Sequence, residues 1–200
     1  MILHTSHPRS APRVIVLSGP TAVGKTTVVK RLRATHPELW ISVSTTTRPP
    51  RPREIDGEHY HFVDDATFDK MVEQGEFLEW AVVHKRAKYG TPRAPMQRAL
   101  AAGHSVLLEI DLQGARQVRQ AIPDALFVFL APPSWDEMVR RLVGRGTETE
   151  EERERRLATA RDELAAEAEF DVTLVNTEVD EVCEQLVTLM RTPHLTSPEA

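Results

Sequence analysis

Cysteine is almost missing from the 200-residue chain. The single Cys183 excludes an internal disulfide and suits a reducing compartment. It falls in an apolar-periodic stretch, which reads as a buried, inert thiol rather than a nucleophile. Long apolar runs are also missing, since none approaches the ~20 residues of a membrane span. The first twelve residues lack the apolar core of a signal peptide. The expectation is a cytoplasmic protein with loose tails over 1–12 and 192–200. Excess positive charge is absent too: the net charge is −5 and the pI near 5.9. That balance supports neither a nucleic-acid nor a membrane-surface role. The histidines match no zinc-ligand spacing. No Ser-His-Asp or Cys-His arrangement stands out, no repeat recurs, and no obligate protein partner is evident. Lysine occurs only five times, against twenty arginines. Asparagine occurs once, at Asn176.

One of those five lysines lies in the most informative stretch. The apolar run Val14–Leu17 ends at Ser18, and Gly19-Pro20-Thr21-Ala22-Val23-Gly24-Lys25-Thr26 follows, fitting G-x-x-x-x-G-K-[ST]. Val28, Val29 and Leu32 then recur at helical spacing up to His36-Pro37. Strand, glycine loop and helix in that order make a phosphate-binding loop. Glycines let several backbone N–H groups converge, and the helix start adds its positive dipole end. Lys25 can reach the terminal phosphates of a nucleotide, and the Thr26 hydroxyl can ligate Mg²⁺.

Trp40–Ser44 reads as a second strand. A proline-rich loop follows, carrying Arg48, Arg51 and Arg53 on stiff, extended backbone. Ligands in open α/β sheets collect at the carboxyl ends of strands, so these arginines read as an anion clamp. Glu58–Val63 reads as a strand. Asp65 is the expected cap of a helix carrying Phe68, Met71 and Val72, and Glu76–Val83 is extended again. On composition alone, Glu79 is an exposed strand carboxylate. His84–Lys88 reads as a basic turn, and Tyr89-Gly90-Thr91-Pro92 leads into a helix closing at Gly103. The interval 48–92 thus reads as an inserted lobe.

Alternation then returns. Ser105–Asp111 is an apolar strand with two carboxylates, Glu109 and Asp111, at its end. Buried carboxylates there are costly without a role, and holding Mg²⁺, directly or through water, supplies one. A helix follows Leu112-Gln113-Gly114, and Ala125–Leu130 is another buried strand. Ser134-x-x-Glu137 is a capping box. Arg141, Arg145 and Arg156 lie on a helical hairpin with Gly144 and Gly146 as hinges, which suits a lid. Asp171–Asn176 is the last strand and Val179–Met190 the last helix.

The stretches GPTAVGKTT, SVSTTTRPPRPREIDGEHYHF, EFLEWA, YGTP, LEIDLQG, RGTETEEERERRL and VNTEVDE together resemble the guanylate kinase family, from about Val14 to Met190. The resemblance implies an α/β P-loop NTPase fold of three layers, with a five-stranded parallel core, an inserted small mixed-sheet GMP-binding lobe and a helical lid. Within 13–191 the core would be 13–47, 93–139 and 157–191, the lobe 48–92 and the lid 140–156. It implies transfer of the γ-phosphoryl of ATP to GMP with Mg²⁺. ATP would meet Gly19 through Thr27, with Asn176 near its adenine. Arg48, Arg51, Tyr60 and Tyr89 would hold the GMP phosphate, and Ser44, Glu79, Thr91 and Asp111 would surround the guanine. Lys25, Arg48, Arg141, Arg145 and Arg156 would be the catalytic cations. Thr26 would bind Mg²⁺, with Glu109 and Asp111 acting on it through water. Two other readings stay open: a non-catalytic domain of the same type, and a P-loop kinase of another small phosphate-bearing substrate. The chain departs from the family pattern at Thr21-Ala22, where Ser-Gly is usual, at His59, and in the 84–88 turn. Ala22 is expected to confine its position to ordinary backbone angles.

Overall fold

The computed structural model describes residues 12–83, 87–143 and 150–192. Five strands, β1 (Val14–Ser18), β2 (Trp40–Ile41), β7 (Val106–Glu109), β8 (Leu126–Ala131) and β9 (Val172–Val175), form one sheet in the order β2-β7-β1-β8-β9. Every pairing in it is parallel. All five residues of β1 are buried, because helices cover both faces of the sheet. Side chains alternate across it. Ile15 and Leu17 pack with Val28 and Leu32 of α1 (Lys25–Thr35) and with Val182 and Leu186 of α7 (Val179–Arg191). Val14 and Val16 pack on the other side with Met96 of α3 (Arg93–Ala101) and Val118 of α4 (Leu112–Ala121). The result is the expected three-layer core.

A second, mixed sheet contains β3 (Thr45–Thr46), β4 (His61–Phe62), β5 (Phe77–Val83) and β6 (Ala87–Pro92), in the order β4-β3-β6-β5. β3 and β4 are parallel, and the other pairs are antiparallel. Helix α2 (Asp65–Glu73) closes this lobe by stacking Phe68 on Phe77, ring centroids 4.6 Å apart.

The structure corrects several local expectations. β2 does not run through Ser44. Ser42 N–H still donates to Leu107 O, but Thr45 and Thr46 have crossed into the small sheet, where Thr46 Oγ1 donates to Lys88 O. Ala87–Pro92 is a strand rather than the approach to a helix, because six residue pairs bind it to β5 and two to β3. The cap of α2 is Asp64, which accepts from Thr67 N–H at 2.7 Å, rather than Asp65. Ser134 does cap α5 (Trp135–Val143), accepting from Glu137 N–H at 3.2 Å.

Met138 and Leu142 of α5 pack on Ala160 of α6 (Glu150–Ala165). α6 runs unbroken across positions 156 and 157, the expected boundary between lid and core. A 3₁₀ turn at Ala166–Glu169 leads into β9. Arg145 with its flanking glycines, the His84–Arg86 part of the basic turn, and both chain ends (1–11 and 193–200) lie outside the described residues.

Candidate active site

The phosphate loop connects β1 to α1 across the carboxyl edge of the core sheet. Gly24 caps α1 at φ 105°, and a Cβ there would fall 2.6 Å from Asn176 Nδ2. Asn176 is buried and donates to Val23 O at 2.7 Å, which braces the loop from beneath. Gly19, at φ 147°, lies against Leu130 O with no room for a side chain. Ala22 stands at φ 65°, so the expectation of ordinary angles there was wrong. The loop's curl holds this residue in the left-handed region, at a cost of about 1–2 kcal/mol for a side chain.

Lys25 is half-buried. Its Nζ donates to Gly19 O at 2.6 Å and Pro20 O at 3.2 Å, folding back over its own loop. Burial lowers its pKa, and Glu109, Glu163 and Asp111 act in the opposite sense. Thr26 Oγ1 donates to Glu109 Oε1 at 2.9 Å, so hydroxyl and strand-end carboxylate already meet. Burial raises the Glu109 pKa against the pull of Lys25, Thr26 and Arg33. Asp111 caps α4, accepting from Gly114 N–H at 2.8 Å. Thr27 is exposed on the first turn of α1.

A cavity of about 240 Å³ opens between this edge and the small sheet. Its walls bring together Lys25, Thr26, Ser44, Arg48, Arg51, Tyr60, Glu79, Tyr89, Glu109 and Asp111. Arg48 Nε donates to Tyr89 OH at 3.1 Å, and its guanidinium carbon lies 5.4 Å from the Tyr60 ring centre. Glu54 holds this cluster: it accepts from Arg48 Nη2 at 2.9 Å and from Arg51 N–H at 2.6 Å. The chain has only two tyrosines, and both stand here, edge to face at 5.8 Å. Burial pushes the Tyr60 phenol up to about 12, helped by Glu109 and Tyr89.

Glu79 is not the exposed carboxylate that strand composition suggests. It is 5% exposed. In the β5–β6 register Phe77 faces Pro92 and Glu79 faces Thr91, so Leu78 is an extra residue. Such a bulge re-aims neighbouring side chains. Leu78 turns into the core beside Met96, while Glu79 faces the cavity. Thr91 Oγ1 donates to Glu79 Oε1 at 2.6 Å. Burial raises the Glu79 pKa to about 7, with Asp111 adding to the rise and Thr91 opposing it.

The helical hairpin reaches the loop at two points. Arg141 donates from Nε to Glu137 Oε1 at 2.9 Å and from Nη1 to Val23 O at 3.1 Å. Glu163 of α6 accepts from Thr21 N–H at 2.6 Å and from Thr21 Oγ1 at 3.2 Å. Arg156 is half-buried on the same helix. Glu54 and Glu163 were missed by sequence reasoning. No local pattern marks either one.

The guanylate kinase family model matches residues 11–193. The chain belongs to the guanylate kinase family. A guanylate kinase of Thermobifida fusca is 65% identical over 181 residues, covering 90% of this chain and 92% of that protein. One from Streptomyces kasugaensis is 62% identical over 183 residues, covering 92% and 89%. Among solved structures, guanylate kinase from Anaplasma phagocytophilum superposes with TM-score 0.77 at 29% identity, covering 94% of this chain and 89% of that one. The five-stranded parallel core with a small mixed sheet is therefore the family's P-loop fold. Among the described residues no helix is long and apolar enough to cross a membrane.

Proposed function

We propose that the chain transfers the γ-phosphoryl group of ATP to GMP, giving ADP and GDP. The observation that carries this reading is the buried Glu79, which lines the same cavity as Arg48, Arg51 and Lys25 and is held from behind by the fully buried Thr91. Guanine presents donors at N1 and at its 2-amino group, and one carboxylate accepts from both. Adenine has neither donor on that edge, so AMP leaves the buried Glu79 without the two hydrogen bonds that guanine offers it. A lost hydrogen bond to a charged group costs about 1.5–3 kcal/mol, and a site built on such bonds rejects the analogue lacking them. The Ser44 hydroxyl and Asp111 complete the guanine end, and Thr91 serves it by holding Glu79. Arg48, Arg51, Tyr60 and Tyr89 hold the GMP phosphate, with Glu54 fixing the arginine fork.

ATP lies on the phosphate loop, Gly19 to Thr27, with Lys25 on its terminal phosphates. Asn176 serves the donor side by bracing Val23 and Gly24. The two lobes align the GMP phosphate oxygen with the γ-phosphorus. The bond to the β–γ bridging oxygen breaks as the new one forms, with no covalent enzyme intermediate. Lys25, Arg48 and the hairpin arginines Arg141, Arg145 and Arg156 stabilise charge on the equatorial oxygens. The 140–156 part of the α5–α6 hairpin acts as the lid and excludes water. Mg²⁺ fits this oxygen-donor set. Among the described residues there is no cluster of three or more carboxylates, imidazoles or thiols to cage it. Thr26, with Glu109 and Asp111 through water, would hold it. When bound it would neutralise phosphate charge. The single, free and buried cysteine suits a reducing compartment, and the reaction is assigned to the cytoplasm.

The test is ADP formation from Mg-ATP with GMP, dGMP, CMP or UMP as acceptor. Turnover confined to the guanine nucleotides is expected. No turnover with any acceptor would favour a binding module, and turnover with CMP or UMP alone would favour another substrate.

A further inference from the structure

Glu79 stands on β5, the outer strand of the small sheet, and β6 supports it from one side only. On the other side the support comes from the core. Trp80 N–H donates to Gln117 Oε1 at 3.2 Å, and Gln117 Nε2 donates to Trp80 O at 2.8 Å. The Gln117 amide therefore stands in for an adjoining strand at this one residue, satisfying backbone groups that an edge strand leaves open. One helical turn earlier on α4 comes Gly114. It lies within the helix, where any residue fits the backbone, but a Cβ there would fall 2.6 Å from Glu79 Oε2 and 3.0 Å from its Cδ. The Gly114 N–H is held by Asp111, so the first turn of α4 leaves a notch into which the carboxylate fits.

We propose that Gly114 and Gln117 are specificity-determining positioning residues: Gln117 fixes β5 to α4, and the bare face of Gly114 sets where the Glu79 carboxylate meets the guanine edge. This rests on the reading of Glu79 as the acceptor of the guanine donors. A methyl group at 114 displaces the carboxylate, and loss of the Gln117 amide frees the strand that carries it. Neither change touches the phosphate loop, so the ATP site is unaffected.

The experiment compares kcat/KM for GMP and for inosine monophosphate, which lacks the 2-amino group. It uses the wild-type chain, Gly114→Ala, Gln117→Leu, Glu79→Gln and the Gly114→Ala/Glu79→Gln double variant. One hydrogen bond to a charged group gives the wild type a GMP preference of about tenfold or more. In Gly114→Ala and Gln117→Leu that preference is expected to shrink about tenfold through a higher KM for GMP, with KM for ATP unchanged. A ratio does not depend on how much protein is folded, so a merely structural role would leave it intact. On the Glu79→Gln background, Gly114→Ala is expected to cost nothing further in the ratio, because the two act as one unit. An unchanged ratio in both single variants, or additive losses in the double variant, overturns the proposal. If Gly114→Ala does not fold, Gln117→Leu decides by the same ratio. A wild type that does not prefer GMP, or a Glu79→Gln variant that keeps the preference, overturns the underlying reading of Glu79 instead.

Discussion

Replacing Glu79 by glutamine should make the empty protein more stable while it impairs GMP use. Burial moves this carboxyl from an ordinary 4.5 to about 7. The native state therefore binds the Glu79 proton more tightly than the unfolded chain does. Stability falls as pH rises from about 4.5 to 7, and the whole cost is present above 7. A rise of that size corresponds to about 3 kcal/mol, at 1.36 kcal/mol for each tenfold change in acidity. Glutamine keeps an oxygen to accept from Thr91 Oγ1 and carries no charge to bury. At pH 8, without nucleotide, Glu79→Gln is expected to unfold about 6–12 °C higher than wild type, at roughly 2–4 °C per kcal/mol for a chain of this size. At pH 4.5 the gap should close, because Glu79 is then protonated in the folded wild type as well. Thermal unfolding across that pH range is the assay. An equal gap at both pH values, or a variant less stable at pH 8, would refute the burial argument.

Other outcomes follow from the loop and the arginine cluster. Lys25→Met should abolish transfer with the fold intact, checked by ADP release beside circular dichroism; near-wild-type activity would remove Lys25 from the mechanism. Ala22→Gly relieves a left-handed alanine at φ 65°. After allowing for the extra chain entropy of glycine, it should gain about 0.5–1 kcal/mol, read as a Tm higher by about 1–4 °C. Glu54→Gln loosens Arg48 and frees the Arg51 backbone, so KM for GMP should rise several-fold with KM for ATP unchanged. Equal changes in both would mean that Glu54 supports the whole fold rather than the acceptor site.

The parts of the site that were legible in the sequence are those written in consecutive residues. Gly19 to Thr26 declare their purpose because one loop must present its own backbone, and the apolar strand ending at Glu109 and Asp111 shows where charge emerges from a core. Glu79 was opaque because its burial depends on a one-residue bulge in β5 and on a helix that comes thirty-odd positions later. The strand Ala87–Pro92 was hidden for a similar reason: lysine, glycine and proline weaken its pattern, and only its partners define it. Asn176 braces the loop across 153 positions of sequence, and Glu163 reaches Thr21 across 142. No local period encodes such contacts. Ala22 shows the reverse case, in which the loop's geometry overrides what its residue type prefers.

Acceptor choice depends on a carboxylate at Glu79 reading the guanine edge, and the most direct test is kcat/KM for GMP against AMP with saturating Mg-ATP at pH 7.5. Two lost hydrogen bonds to a charged group predict that AMP is used at least about a hundredfold less well. AMP turning over as efficiently as GMP would contradict it.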